Sequence, residues 1–504
     1  MKESPRTHIP KRERKVRRAP DPTPYVVVEF EEAYIRETGI QYERGQEKRL
    51  GELWTGLVRD FPGLALLPLY PVVRDARFEK FVRGIQAWNE RFRAPAFRTF
   101  YQVVGPAQSD FPAIAGRLTR ERGKVHGAYA ERVGWPAVVN TANQPLFPKE
   151  FHLHPPPAGL NAVAAWEVTG ADGLDMRFVD VERGWDLSHP DLPPQRTPPV
   201  PTPLIHGMND NYFDGHGTSV LGILCATDDA AGNAIGVAGF APRAEGAVSS
   251  WLLGFDPETG AELSNLPNAI LTAAMHLQSL RGTFPVGDVL LVEATSEDPA
   301  NPAMQWPVEA RSGNLGPLVT AAAAGIVVVE AGANGDAAGG IAFDADLWQD
   351  DAGKYRMKRP IVTDPNPDFV DSGAILVSAA QPFAGNIDPF AWSPRGRRVD
   401  CCAWGIGVTT CESTGVKPLD PYREDYDGTS AAAAIVAGAA LSLQGIARAD
   451  PRGPLTGHQV RLAFADPRWT YPATDPRIGP MPDLDRLVRA LLAGDLHLLP
   501  AFPP

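Results

Sequence analysis

The middle of the chain is marked by apolar runs that scarcely alternate. Val289 to Val292, Ile326 to Val329 and Ala374 to Ala379 carry hardly a polar position. That is the pattern of parallel strands covered by helices on both faces. Met176 to Val181 reads as another short strand ending at a carboxylate, and a strand's carboxyl end is where an open α/β sheet presents its chemistry. Helical stretches lie between these runs: Leu266 to Leu280, Thr218 to Ala226, and Ala431 to Leu443. The last is almost all small or apolar and reads as a helix buried on every side. Strand and helix alternating in this way predict an α/β fold, a doubly wound and mostly parallel sheet.

Upstream the pattern is shorter and more mixed. Tyr25 to Glu31, Leu64 to Val73 and Arg98 to Val104 read as strands, and Val125 to Val133 as extended chain. Glu47 to Asp60 has helical spacing, with Leu50, Leu53, Trp54 and Leu57 on one face, and Arg77 to Phe92 and Phe111 to Arg120 are further helices. This is an N-terminal α+β region, built as one small domain or two in series. The expected organisation is a basic arm over 1–24, the α+β region over 25–140, a Pro-rich linker over 141–157, the main α/β domain over 158–492 and a tail over 493–504. Pro190 to Pro203 reads as a surface loop.

Composition narrows the classes. At 504 residues the chain exceeds one ordinary core, and 44 % hydrophobic with 21 % charged residues is globular. A formal net charge of −12 argues against nucleic acid as a general partner. The opening arm runs the other way, with Lys2, Arg6, Lys11, Arg12, Arg14, Lys15, Arg17 and Arg18 against Glu3 and Glu13. It lacks the apolar core of a signal peptide and reads as a solvated tail, which makes the expected location cytoplasmic. No uninterrupted apolar run is long enough to suggest a spanning helix, so no membrane partner is expected. Cys225, Cys401, Cys402 and Cys411 are too few for a disulfide-built fold. Cys401 or Cys402 could reach Cys411 across a hairpin, or all could be buried thiols.

Three distant segments carry candidate chemistry: Met176-Arg-Phe-Val-Asp180-Val-Glu182, Asp214-Gly-His216-Gly-Thr-Ser, and Asp427-Gly-Thr-Ser430 followed by Ala431 to Ala434. A carboxylate, an imidazole and a hydroxyl are what a hydrolase needs to make an alcohol nucleophilic. Gly215 and Gly217 leave room around His216, and Ser430 stands at the positive end of the small-residue helix. A fourth segment, Val327-Val-Val-Glu330-Ala-Gly332-Ala-Asn334, is a β-branched strand running into a loop that ends in an amide. Each segment alone has a commonplace reading, as a loop histidine, a helix cap or a turn-forming aspartate. Their joint occurrence, in this order, does not.

In that order of Asp, His and Ser the chain resembles the subtilases, subtilisin-like serine peptidases, over about residues 150–490. The resemblance implies a serine endopeptidase acting on peptides or proteins, with Asp180 orienting His216, His216 taking the proton of Ser430, and Asn334 donating to the oxyanion. It also implies Glu293, Glu330 and Gly332 as substrate-binding positions, the glutamates selecting a basic side chain or meeting internal cations. Many subtilases carry an N-terminal inhibitor domain, and Arg98 to Val139 is the stretch that could resemble one. No cofactor and no catalytic metal are expected; structural calcium occurs in the family, and no ligand spacing here assigns it. The chain departs from the family pattern at Ala434, where proline is usual, and at Val181 and Glu182, where Ser or Thr and then Gly usually follow the aspartate. The strand at Glu293 also lacks the usual Ser-Leu-Gly. The rival reading is a subtilase-like scaffold without activity, serving as a binding module.

Overall fold

A computed structural model describes residues 25–503 except 90, 107–108, 132, 135–149, 193–201, 211–214, 227–236, 283, 384 and 418–420. The basic arm, most of the expected linker and most of the Pro190 to Pro203 loop therefore lie outside the described residues.

The main domain is built on an eight-stranded sheet. Its strands stand in the order Asn386–Pro389, Ile375–Phe383, Val327–Ala331, Val289–Val292, Arg177–Glu182, Glu245–Ser250 and Leu204–His206, with Cys401–Trp404 also paired to Ile375–Phe383. All pairings are parallel except that of the edge strand Asn386–Pro389. The apolar runs are those of a sheet buried on both faces. Phe178, Val289, Leu291, Val327 and Val329 point to one face, where the helices His216–Cys225 and Gly428–Ala449 pack. Val179, Val181, Leu290, Val292 and Val328 point to the other, under the helices Leu266–Arg281 and Ser312–Ala323. The two-residue period of a strand thus decides which side chains meet the histidine and serine helices. The helix bearing Ser430 is buried through nearly its whole length, and it runs through Ala434 without a break.

The N-terminal region forms one antiparallel sheet in the order Ala65–Pro68, Phe100–Val104, Tyr25–Phe30 and Val125–Glu131. Some expected elements are split. Gly51, at φ 57°, separates a 3₁₀ turn Glu47–Leu50 from the helix Glu52–Asp60. Leu64 to Val73 holds a strand only over Ala65–Pro68, because Pro71 opens a 3₁₀ turn. This domain docks on the outer side of Leu266–Arg281 and Ser312–Ala323, sharing their apolar core. Tyr70 donates its hydroxyl to the Gly313 carbonyl, and Gly313 N–H donates to the Tyr129 hydroxyl at 2.7 Å. Asn265 Nδ2 donates to the Leu69 carbonyl at 2.8 Å, and Trp88 stacks on Phe284 at 5.1 Å. Beyond the domain, Val133–Gly134 runs antiparallel to Thr295–Glu297, Gly134 opposite Thr295 and Val133 opposite Ser296.

All four cysteines are buried, and none is joined in a disulfide. Burial pushes those of Cys401, Cys402 and Cys411 up.

Candidate active site

Asp180 and Glu182 stand two positions apart on one strand, so both carboxylates face the histidine and serine helices. Glu182 is the one that reaches His216. Its Oε2 lies 2.5 Å from His216 Nδ1, and its Oε1 accepts the Arg183 N–H at 2.8 Å, so both oxygens are held. Asp180 does not touch the imidazole. Its Oδ2 accepts from Trp185 Nε1 at 2.7 Å, and its Oδ1 has no hydrogen-bond partner. The expectation that Asp180 orients His216 is therefore corrected: the contact belongs to Glu182, one methylene longer and at the strand's very end. Burial, and then the charge of Glu182, raise Asp180 well above the usual carboxylate range. Arg183 leaves this cluster, its guanidinium going to Asp210 and Glu262.

Glycine makes the approach of helix to strand possible. A Cβ on Gly217 would lie 2.7 Å from both Glu182 Cγ and Trp185 Cδ1, and 2.5 Å from the Gly184 carbonyl oxygen. Gly215 precedes the histidine helix at φ 66°, and His216 is its first residue.

On the far side of the ring, His216 Nε2 is 3.1 Å from the Tyr426 hydroxyl. With Nδ1–H given to Glu182, Nε2 is the acceptor and Tyr426 the donor. Ser430 stands in the first turn of its helix, where backbone N–H groups have no intrahelical acceptor. Both carboxyl oxygens of Glu293 are buried without a hydrogen-bond partner. Glu293 follows the strand Val289–Val292, and its own N–H donates to the Val181 carbonyl at 3.0 Å. It is 1 % exposed and belongs to the buried side of the site rather than to an open side-chain pocket. Burial, then the charges of Asp180 and Glu182, raise its carboxyl well above the usual range.

Asn334 is fixed by one end only. Its Oδ1 accepts from Thr429 N–H at 2.9 Å and Thr429 Oγ1 at 3.1 Å, which ties it to the residue before Ser430. Its Nδ2 is buried with no partner, a donor to spare. Ala333, just before it, takes φ 66°, a conformation that costs an L-residue energy and is held here by the surrounding loop.

Two expected substrate positions lie elsewhere. Glu330 is one step out of phase with Val329 and points away from the face carrying His216 and Ser430. It is fully buried, its Oε1 accepting the Glu309 N–H at 3.0 Å, and Arg398 pairs with Glu309 beside it. Among the described residues, neither a substrate pocket nor an internal ion pair is found at Glu330: its Oε2 has no partner, and Arg398 pairs with Glu309 and Asp400. Gly332 donates its N–H to the Val377 carbonyl at 2.9 Å, and a Cβ on it would meet that oxygen at 2.5 Å, so it serves close strand packing.

A family model, the Subtilase family, matches residues 183–465, and the chain belongs to that family of serine peptidases. No curated protein matches the chain. The matched residues include His216, Asn334 and Ser430 but begin one position after Glu182, so the choice between Asp180 and Glu182 rests on geometry. Glu182 carried a legible signal. With Arg183 and Gly184 behind it, it reproduces the family's acid, residue, glycine order that Asp180 breaks. Tyr426 and Trp185 carried none that spacing could reveal.

Proposed function

We propose that the protein is a serine endopeptidase whose nucleophile is Ser430, whose general base is His216 and whose orienting acid is Glu182. The observation that carries this reading is the 2.5 Å contact of Glu182 with His216 Nδ1, which leaves Nε2 as the basic nitrogen on the side of Tyr426. Ser430 attacks a substrate carbonyl, its proton passing to His216 Nε2 as the Tyr426 hydroxyl yields that position. Glu182 stabilises the imidazolium. Asn334 Nδ2, with the backbone N–H of Ser430, receives the oxyanion. His216 then protonates the leaving amine, and water resolves the acyl-enzyme.

The substrate runs beside Thr295–Glu297, which already accepts an added strand at Val133–Gly134. The register of that pair leads from Ser296 to Thr295 and so towards Glu293 and Ser430. The N-terminal domain thus acts as an intramolecular inhibitor, its exit strand occupying the substrate's place, and the protein releases it by cutting between residues 140 and 157.

Hydrolysis of an unfolded protein by the wild type and by Ser430→Ala tests the activity. Turnover lost in the variant, with its melting temperature kept, supports the reading; equal turnover refutes it. The pairing of Nε2 with Tyr426 is what an inactive scaffold would also show, and absence of turnover in both proteins selects that reading.

A further inference from the structure

The turn that follows Glu182 is gripped from two sides. On one side lies the histidine helix, whose Gly217 comes so near that a Cβ there would stand 2.5 Å from the Gly184 carbonyl oxygen. On the other lie Asn209 and Asp210, between the edge strand Leu204–His206 and the histidine helix. Their packing is equally close, since a Cβ on Gly184 would lie 2.1 Å from the Asp210 carbonyl oxygen. Asn209 holds the backbone of Trp185 by both polar groups of that residue. Its Oδ1 accepts the Trp185 N–H at 2.7 Å, and its Nδ2 donates to the Trp185 carbonyl at 3.0 Å. Arg183 is held by backbone and side chain together. Its N–H donates to Glu182 Oε1 at 2.8 Å, its Nε donates to Asp210 Oδ2 at 3.0 Å, and its Nη1 donates to Glu262. The guanidinium is fully buried and lies 5.4 Å from the centre of the Trp251 ring.

Resting on the peptidase reading, we propose that Arg183 and Asp210 are positioning residues: their ion pair, with Asn209, clamps residues 183–185 against the segment before the histidine helix and so keeps Glu182 on His216. A buried ion pair is a poor way to gain stability alone, because apolar residues of similar volume often serve as well once both charges have lost their water. What it supplies is direction. The rigid fork of a guanidinium fixes the distance and angle between the two pieces of chain that it joins. One of those pieces begins at Glu182, and the 2.5 Å contact of that residue with His216 Nδ1 leaves no room for the turn to slide. A misplacement of about 1 Å at such a contact costs about 100-fold in rate, even when the altered residue is remote from the reacting atoms.

Steady-state cleavage of a quenched peptide by the full chain, with melting temperatures recorded, tests this. Asp210→Asn keeps an acceptor for Arg183 and removes its charge, and kcat should fall about 10- to 100-fold with KM nearly unchanged. The matched control is Asp371→Asn, which weakens a comparably buried pair with Arg461. That pair stands before the amino end of Ile375–Phe383, opposite the strand ends that carry the site, so the control should lose melting temperature and keep its kcat. In a Glu182→Gln background, Asp210→Asn should slow fluorophosphonate labelling of Ser430 by no more than about twofold, because effects routed through one contact do not add. Asn209→Ala removes the neutral half of the clamp and should give the same pattern; it decides the matter if Asp210→Asn is unfolded by thermal melting. Full kcat in the clamp variant, a rise in KM alone, an equal loss in Asp371→Asn, or losses that multiply with that of Glu182→Gln overturn the proposal while leaving the peptidase reading intact. No cleavage by the wild type, as by Ser430→Ala, overturns both.

Discussion

Replacing Glu182 by Gln keeps the shape of the side chain and removes its charge, and the cost of that change can be worked from the structure. Glu182 Oε2 lies 2.5 Å from His216 Nδ1, and both groups are buried. Allowing roughly 1 Å in all for the spread of the two charges, two unit charges about 3.5 Å apart interact by about 5 kcal/mol at an effective dielectric constant near 20. This attraction exists only while His216 is an imidazolium, which is the state that forms as Ser430 attacks, so its loss appears in kcat. At 1.36 kcal/mol per factor of ten, the expected fall in kcat is about three to four powers of ten. KM should change little, because Glu182 has no exposed surface to offer a substrate. The matched control is Asp180→Asn. Asp180 touches Trp185 rather than His216, and its carboxyl is already held towards the neutral form, so a neutral amide that still accepts from Trp185 should cost less than about tenfold. The assay is steady-state cleavage of an unfolded protein or a quenched peptide, with melting temperature recorded for both variants. Equal losses, or a larger loss for Asp180→Asn, would refute the assignment of Glu182 as the orienting acid.

Other expectations follow from particular contacts. Asn334→Ala should lower kcat about 100- to 1000-fold with KM nearly unchanged, a magnitude that subtilisin itself supplies for its oxyanion donor. Gly217→Ala should abolish activity and lower the melting temperature, since its Cβ would lie 2.5–2.7 Å from Gly184, Glu182 and Trp185; an active, unshifted variant would show that the close approach is not required. His152, fully buried, is pushed down to about 3, so between that pH and about 6.5 the unfolded chain binds a proton that the folded chain does not. Its contribution is therefore complete above about pH 6.5 and is lost as pH falls, by a few kcal/mol at most, and His152→Phe should flatten that dependence in denaturant titrations.

The fold was legible where burial dictates sequence. Strands such as Val289–Val292 are covered on both faces, so nothing polar interrupts them, and the helix Gly428–Ala449 is apolar all round for the same reason. His216, Asn334 and Ser430 stood out as candidates because each sits where a strand or helix ends, with small residues around it. The acid was misassigned by the choice between two carboxylates on one strand face. Residues two apart stand about 7 Å from each other along a strand, and only the histidine helix, brought close by Gly217, decides which one is met. Glu330 was misplaced by the same two-residue period, read without knowing which face carried the site. Tyr426 could not be recognised as a neighbour of His216, because that contact joins segments more than a hundred residues apart. The docking of the N-terminal domain through Tyr70, Tyr129 and Trp88 likewise leaves no local pattern, since aromatic residues facing a partner domain look like those facing their own core.

The central claim is that Ser430 is a nucleophile made reactive by His216. Treating the folded wild type and His216→Ala with a fluorophosphonate, then measuring intact mass and mapping the modified peptide, tests it most directly. The account predicts one adduct per chain on Ser430 in the wild type and labelling slowed at least about a thousandfold in the variant, since serine without its base is an ordinary alcohol. An adduct on another residue, or equal labelling of both proteins, would contradict it.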